Sequence, residues 1–151
     1  MAFRSNGWRR RPAFRIQDQY LRVSYPGARR SASARPSQLQ GGVLATFQVE
    51  AEQFKLWVTN ESTIQQILDL QAGTSTASIP NGPVLEGAGP AAYNSPYSWH
   101  LDAVETEMAD ATIELCDGLP SFVEENLDSW LVDVGQYCPW SAQLLSVEDY
   151  R

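Results

Sequence analysis

The 151-residue chain lacks the sequence features that define several large protein classes. It has one histidine and two cysteines, and no apolar run is long enough to cross a bilayer. The basic N-terminus is not followed by the apolar segment of a secretory signal peptide. The three consecutive arginines at 9–11 are not followed by the apolar segment that a twin-arginine export signal also needs. P-loop, dinucleotide-binding, GxSxG and HExxH motifs are absent. No established activity follows from motifs alone.

Positive charge is scarce beyond residue 40. Residues 1–40 hold nine arginines against Asp18, so nine minus one gives +8. Residues 41–151 hold Lys55 and Arg151 against 17 acids, so two minus 17 gives −15. Because this part has so few groups to clamp phosphate, we expect no nucleic-acid partner for it. We interpret residues 1–42 as a disordered basic Arg/Ser-rich tail or linker, and residues 43–151 as one acidic domain.

The pattern of apolar residues predicts an α+β fold. Two helices are expected, one capped by Asn60 and one with the capping-box pair Ser121 and Glu124, which ends at Gly135. Residues 74–97 are rich in Gly, Pro, Ser and Asn, which indicates a long loop with a short strand at 84–85. Alternating residues predict strands at 46–50, 54–58, 98–102, 111–116 and 142–147. This order predicts an antiparallel sheet of about five or six strands with two helices.

Trp57 falls on the outer face of its predicted strand, beside Lys55 and opposite Leu56 and Val58. We expect the following helix to cover the indole. The alternative is that Trp57 belongs to an exposed contact patch.

His100 and Glu114 are the candidate catalytic pair. Successive side chains of a strand point to opposite faces, so pairing of residues 98–102 with 111–116 would bring this imidazole and carboxylate together. The apolar residues that would then be buried are Trp99, Leu101, Ile113 and Leu115. A carboxylate beside an imidazole favours its charged form, which suits acid–base chemistry or metal binding. The alternative is a structural His–Glu hydrogen bond or a solvated pair.

Cys116 and Cys138 lie on either side of the second predicted helix. They are compatible with a disulfide, which for a loop of this size is worth roughly 3 kcal/mol. They are also compatible with two reduced buried thiols. A zinc site that adds His100 and a carboxylate is a third alternative, although no CxxC or HxxxH spacing supports it.

Four carboxylates crowd the link between two predicted strands, at Asp102, Glu105, Glu107 and Asp110. Acids this close together can bind calcium, but the glycine and glutamate of an EF-hand are not at their offsets. A solvated acidic loop is the interpretation that we favour. We expect no cofactor, with zinc and calcium as alternatives.

Six short motifs together resemble a known family. They are FKLWVT at 54–59, IPNG at 79–82, SWHLD at 98–102, ELCDG at 114–118, PSFVE at 120–124 and YCPW at 137–140. Over residues 43–151 the chain resembles the family named for a cyclic-AMP-inducible prespore protein of slime moulds, which has many bacterial relatives. It differs in having Ala103 where a proline often follows the aspartate. Because members are often secreted, the resemblance favours a Cys116–Cys138 disulfide and an extracellular or envelope location. It implies no catalytic residues.

These observations predict a small acidic binding module, monomeric, for an unknown protein or small molecule. Its expected contact surface combines the 74–97 loop with the following strand and the C-terminal tryptophan. The binding residues are predicted to be Asn94, Trp99, His100, Asp102 and Trp140. One alternative is a metal-dependent or acid–base enzyme centred on His100 and Glu114. Another is a protease inhibitor that presents the 74–97 loop.

Overall fold

A computed structural model of the protein describes residues 39–151. The expectations for residues 1–38 lie outside the described residues. In chain order, the first elements are strands β1 (Val43–Val49) and β2 (Glu52–Val58), helix α1 (Glu61–Gln71) and strand β3 (Ile79–Glu86). Next come strands β4 (Trp99–Leu101) and β5 (Glu107–Ala109), and helices α2 (Pro120–Glu125) and α3 (Leu127–Ser129). A π-helical turn (Trp130–Val134), strand β6 (Gln136–Tyr137) and strand β7 (Ala142–Asp149) complete the fold.

The strands form two antiparallel sheets, which confirms the α+β prediction. One sheet has the order β2-β1-β7. In the other, β3 is central and pairs with β4, β5 and β6 along different parts of its length. None of the helices in residues 39–151 is long and apolar enough to cross a membrane.

Aromatic rings join the two sheets into one core. Phe54 of β2 lies 5.9 Å from Trp99 of β4 and 5.4 Å from Tyr137 of β6, measured between ring centroids. Trp99 and Tyr137 are 5.2 Å apart, and all three residues are essentially inaccessible to solvent. Because edge-to-face rings contribute beyond their buried area, this cluster fixes how the sheets pack.

Helix α1 begins as its sequence predicts. The Asn60 side chain accepts hydrogen bonds from the backbone N–H groups of Ser62 at 2.9 Å and Thr63 at 3.4 Å. These bonds satisfy donors that have no partner within the helix. Ile64 and Ile67, one turn apart, are then buried against the core.

The capping box predicted for α2 does not form. Instead, the carboxylate of Glu52 on β2 accepts hydrogen bonds from the N–H and the hydroxyl of Ser121 at 2.8 and 2.6 Å. Glu124 turns away and binds the N–H and hydroxyl of Ser98, both at 2.7 Å. The predicted helix is also interrupted at Asn126, although it ends at Gly135 in the left-handed conformation as expected.

One loop prediction and one strand prediction are wrong. Residues 79–86, placed mostly in a loop, form the central strand β3, of which the expected short strand at 84–85 is one part. Residues 111–116 are not a strand, because 111–113 are irregular and Glu114–Cys116 is a 3₁₀ turn. Residues 111–116 pair with none of the strands, and β3 pairs instead with β4, β5 and β6.

Trp57 is buried, but not by the helix that follows it. Its indole contacts Leu39, Leu44 and Tyr93, and its ring centroid lies 5.9 Å from that of Tyr150. The prediction that α1 covers Trp57 is therefore wrong. Ordered packing reaches back to Leu39, which is 4% exposed although the sequence predicts it in the linker.

Candidate functional site

Asn94, a predicted binding residue, instead joins two strands by hydrogen bonds from its side chain. Its side-chain oxygen accepts a hydrogen bond from the N–H of Lys55 at 2.8 Å. Its side-chain nitrogen donates to the carbonyl of Trp99, also at 2.8 Å. With only 1% of its surface exposed, Asn94 is occupied in joining the edge of β2 to β4.

Trp99 and Asp102 also serve the fold. Trp99 is 0% exposed and lies in the aromatic core. The Asp102 carboxylate accepts hydrogen bonds from the N–H groups of Val104 at 2.8 Å and Glu105 at 2.9 Å, which shapes the link between β4 and β5. This carboxylate folds its own loop.

His100 and Glu114 are not brought together by strand pairing. β4 pairs with β3, where His100 lies opposite Leu85, and the imidazole Nδ1 lies 2.7 Å from the carbonyl oxygen of Gly87. Glu114 is exposed on the 3₁₀ turn. The strand register on which the catalytic pair depended is wrong, because its second strand does not exist.

Cys116 and Cys138 form a disulfide, with their Cα atoms 5.0 Å apart. Both are therefore unavailable as thiolate ligands for zinc. Within residues 39–151, no three or more His, Cys, Asp and Glu side chains are close enough to hold a metal ion.

The disulfide anchors Trp140, a predicted binding residue that is exposed, whereas His100 and Asp102 are half-buried. The Cys138 N–H donates to the carbonyl of Cys116 at 2.8 Å. Two residues on, the Trp140 N–H donates to the Asp117 carboxylate at 2.8 Å, and its indole N–H donates to the Thr112 hydroxyl at 2.7 Å. Trp140 is nevertheless 42% exposed.

Two further apolar side chains lie on the segment that Trp140 contacts. Ile113 is 65% exposed and Leu115 is 64% exposed. The alternating pattern predicts both in the core with Trp99 and Leu101, which is wrong. They are exposed because Cys116, next to Leu115, turns inward to the disulfide and the 3₁₀ turn directs its neighbours outward.

A groove of about 660 Å³ begins at Trp140. One wall is the consecutive stretch 140–145, and the opposite wall comes from Leu70 and Gln71 at the end of α1 together with Ser78. Leu145 adds 48% exposed apolar surface. We call the groove together with Ile113, Leu115, Trp140 and Leu145 the Trp140 surface.

Three aspartates are linked to the Trp140 surface by a hydrogen bond or by their position in the sequence. Asp117 holds the Trp140 N–H, and Asp69 precedes Leu70 on the helical wall. Asp110 accepts a hydrogen bond from the hydroxyl of Thr76 at 2.6 Å, two residues before Ser78. None of the residues that line the groove is a lysine or arginine.

Tyr137 lies beneath this region and titrates abnormally. Burial raises the pKa of its phenol well above the usual range, and the nearby Asp117 carboxylate adds to that effect. The hydroxyl donates to the carbonyl of Gly118 at 2.9 Å. The phenol hydroxyl therefore supports the 117–118 segment from inside.

The sequence from residue 42 to residue 151 matches a family model described as the BP-74 N-terminal domain. The chain belongs to this family. No curated protein and no solved structure matches the chain.

In this BP-74 N-terminal domain, sequence reasoning identified Trp140 and missed the rest of its surface. Ile113 and Leu115 alternate with polar residues, so periodicity assigned them to a strand. The adjacent pair Leu144-Leu145 was the available signal for the groove, because neighbouring strand residues cannot both face the same core. A β-bulge between the partners of Thr46 and Phe47 leaves Leu145 as the additional residue on β7.

Proposed function

We propose that this family member is a binding module whose contact surface is the Trp140 surface. The observation that carries the proposal is that Trp140 is 42% exposed although two hydrogen bonds and a neighbouring disulfide hold it in place. Soluble proteins rarely keep large apolar side chains clustered at the surface unless they contact a partner. Trp140 and Leu145 both line the groove, and the exposed Ile113 follows Thr112, the hydrogen-bond partner of the Trp140 indole.

Anchoring favours affinity. A partner that binds a side chain already held in one position does not lose the conformational entropy of ordering it. Tryptophan is also the residue type that most often dominates binding energy at interfaces. The hydrogen bonds to Asp117 and Thr112 therefore support a binding role for Trp140 beyond its exposure alone.

The groove gives the surface a shape to recognise. Its volume of about 660 Å³ falls within the range of natural ligand sites. Leu70, Leu144 and Leu145 provide apolar lining, while Gln71, Ser78 and Gln143 provide hydrogen-bonding groups. An extended segment of a partner protein fits a groove that runs along consecutive strand residues.

The contact surface differs from the one expected from the sequence. Asn94 and Trp99 are buried and hold the fold, so they are not offered to a partner. Residues 79–86 of the 74–97 segment form the central strand β3, so the segment is not one continuous loop and the structural reason for a presented inhibitor loop is weaker. Because His100 lacks the paired Glu114, no observation favours an acid–base enzyme.

We further propose that the family relationship includes the slime-mould prespore proteins, and that the domain works in an extracellular or envelope setting. The supporting observation is the Cys116–Cys138 disulfide, a bond that persists mainly in oxidising compartments. Mass spectrometry of the protein from its native source, with alkylation before lysis, tests this. Free thiols at both positions would refute the proposed setting.

The binding role is tested by selecting random dodecapeptides displayed on phage against the full chain and titrating the selected peptides by calorimetry. We expect Trp140→Ala to weaken binding at least tenfold, which corresponds to about 1.4 kcal/mol. Val132→Ala is the matched control, because Val132 is 81% exposed but lies in the π-helical turn. The proposal fails if no peptide is enriched, or if the selected peptides bind wild type and Trp140→Ala equally.

A further inference from the structure

We infer that the Trp140 surface takes a cationic extended peptide segment, with a lysine or arginine against Trp140 and an adjacent apolar side chain in the groove. The inference rests on the proposed binding function and specifies its partner. Three independent features point to it: the charge around the groove, the exposed aromatic ring and the exposed strand edge.

The charge is the first feature. The Asp117 carboxylate binds the N–H of Trp140, and Asp110 binds the hydroxyl of Thr76, two residues before the groove residue Ser78. Asp69 directly precedes the groove residue Leu70 in the sequence. Carboxylates near a concavity reinforce one another and attract cations to it. An anionic partner would be repelled by these carboxylates.

The two cationic residues within residues 41–151 do not neutralise the negative charge near the groove. Arg151 lies at the end of β7, where it binds the carboxylate of Asp149 at 2.7 Å and that of Glu61 at 3.9 Å. Lys55 is on β2, the opposite edge strand of that sheet. Neither Lys55 nor Arg151 lines the groove, so a cation in it comes from outside residues 41–151.

The aromatic ring is the second feature. A lysine or arginine that lies over an indole face is attracted by the ring quadrupole, and tryptophan is the strongest partner of this kind. The indole N–H of Trp140 is already bound to Thr112, and the backbone N–H is bound to Asp117. A cation on the ring can thus gain the carboxylate of Asp117 without displacing either hydrogen bond, because a carboxylate has several acceptor positions.

The exposed edge of β7 is the third feature. Among the described residues β7 pairs only with β1, and its first four residues line the groove. The opposite edge of that sheet is instead capped, since Asn94 binds the N–H of Lys55. The bulge at Leu145 interrupts regular pairing, so an added segment would pair with residues 142–144 and place one side chain beside Leu145.

The test titrates the full ¹⁵N-labelled chain with three synthetic peptides that differ only in alternating polar residues: Lys-Leu, Gln-Leu and Glu-Leu repeats. We expect the Lys-Leu peptide to shift the Trp140 indole signal and the amide signals of 142–145. Its affinity should exceed that of the Gln-Leu peptide at least tenfold and fall as salt increases. The Glu-Leu peptide should not bind.

Charge variants locate the effect. Asp110→Asn and Asp117→Asn each keep the acceptor oxygen that holds Thr76 or Trp140, so the fold should persist while one negative charge is lost. Each should weaken Lys-Leu binding at least threefold. Asp133→Asn, which removes an exposed carboxylate from the π-helical turn, is the matched control and should leave the affinity unchanged.

The outcomes separate the two proposals. If the Gln-Leu or Glu-Leu peptide binds as tightly as Lys-Leu at Trp140, the cationic inference is overturned and the binding function stands. Lys-Leu binding that survives Trp140→Ala would show non-specific charge attraction and also overturn the inference. Spermine serves as the non-peptide cation, and binding at Trp140 as tight as that of Lys-Leu would overturn the peptide assignment. If Lys-Leu does not bind, the inference fails, while the phage selection still decides the function.

Discussion

Removal of the Cys116–Cys138 disulfide is expected to destabilise the domain and release Trp140. The double variant Cys116→Ala/Cys138→Ala deletes the cross-link while keeping small apolar side chains at two buried positions. The bond closes a loop with a sequence separation of 22 residues. That loop includes α2, α3 and β6. Loss of the disulfide therefore affects every element between the 3₁₀ turn and Trp140.

The magnitude follows from the length of the loop. A cross-link restricts the unfolded chain, and for a loop of this size the restriction is worth roughly 3 kcal/mol. Domains of this size are stable by about 5–15 kcal/mol in total. The variant should therefore remain folded at room temperature with a clearly lower midpoint of urea unfolding.

The assay is equilibrium urea unfolding followed by circular dichroism, with the free energy of unfolding obtained by linear extrapolation. Reduced wild-type protein is the second arm and should lose a similar amount, because it lacks the bond but keeps both sulfur atoms. If the double variant loses less than about 1 kcal/mol, either the unfolded chain is already restricted in this loop or the bond does not form in solution.

Trp140 gives an independent readout. In a Trp8→Phe background, the other described tryptophans are at most 5% exposed, so acrylamide quenching of fluorescence reports on Trp140. We expect stronger quenching in the double cysteine variant, because the disulfide that holds the Trp140 segment is absent. Unchanged quenching would mean that the hydrogen bonds to Asp117 and Thr112 suffice to hold the indole.

Three further changes test the fold and its electrostatics. Asn94→Ala should cost about 2 kcal/mol or more in urea unfolding, because two backbone groups lose their partners. Gly82→Ala should cost about 1–3 kcal/mol, because the new Cβ would lie 2.7 Å from Cβ of buried Thr106. Hydrogen bonds from Arg151 lower the Asp149 pKa from 3.8 to about 2, so Arg151→Ala should raise it in an NMR titration. Since the folded-state pKa is lowered, the associated stabilisation is present above about pH 4 and is lost as the pH falls towards 2.

Each change has a matched control or a contradicting result. Asn126→Ala removes one exposed hydrogen bond to a helix carbonyl and should cost far less than the Asn94 change; equal costs would contradict the role of Asn94 in joining the two strands. If Gly82→Ala leaves the free energy of unfolding unchanged, the Thr106 segment moves aside easily. An unchanged Asp149 pKa after loss of Arg151 would rule out the guanidinium as the cause. The titration of Glu148, one residue away, serves as the reference.

The parts of the fold that depend on neighbouring residues were predictable. The β1–β2 hairpin follows from clean alternation across a short link, and α1 follows from the Asn60 cap and the spacing of Ile64 and Ile67. In these elements the residues that define the structure lie within a few positions of one another, so the local pattern is sufficient.

Strand β3 could not be predicted in this way. Its sequence contains Pro80, Gly82 and Pro83, which normally mark turns. They are tolerated because β3 changes partners along its length, with β5 opposite Pro80 and β6 opposite Gly82 and Pro83. Gly82 is required by the close approach of Thr106, a contact 24 residues away that no local pattern contains.

The candidate site shows the same division. Trp140 was found because tryptophan after Cys-Pro is conspicuous. Ile113 and Leu115 were misassigned because alternation does not distinguish a strand from an irregular segment held by a disulfide. The burial of Asn94 depends on Lys55 and on Trp99, and the identity of an asparagine does not reveal whether it binds a ligand or the backbone.

Backbone hydrogen bonds join the two ends of the described domain. The Gly41 N–H donates to the carbonyl of Tyr150, and the Tyr150 N–H donates to the carbonyl of Gly42, both at 2.9 Å. A domain whose entry and exit lie side by side can be spliced into a surface loop of a host protein without prying that loop open. The domain can also be circularly permuted, with a short linker between its present ends and new ends elsewhere. It is therefore a practical scaffold for displaying the Trp140 surface.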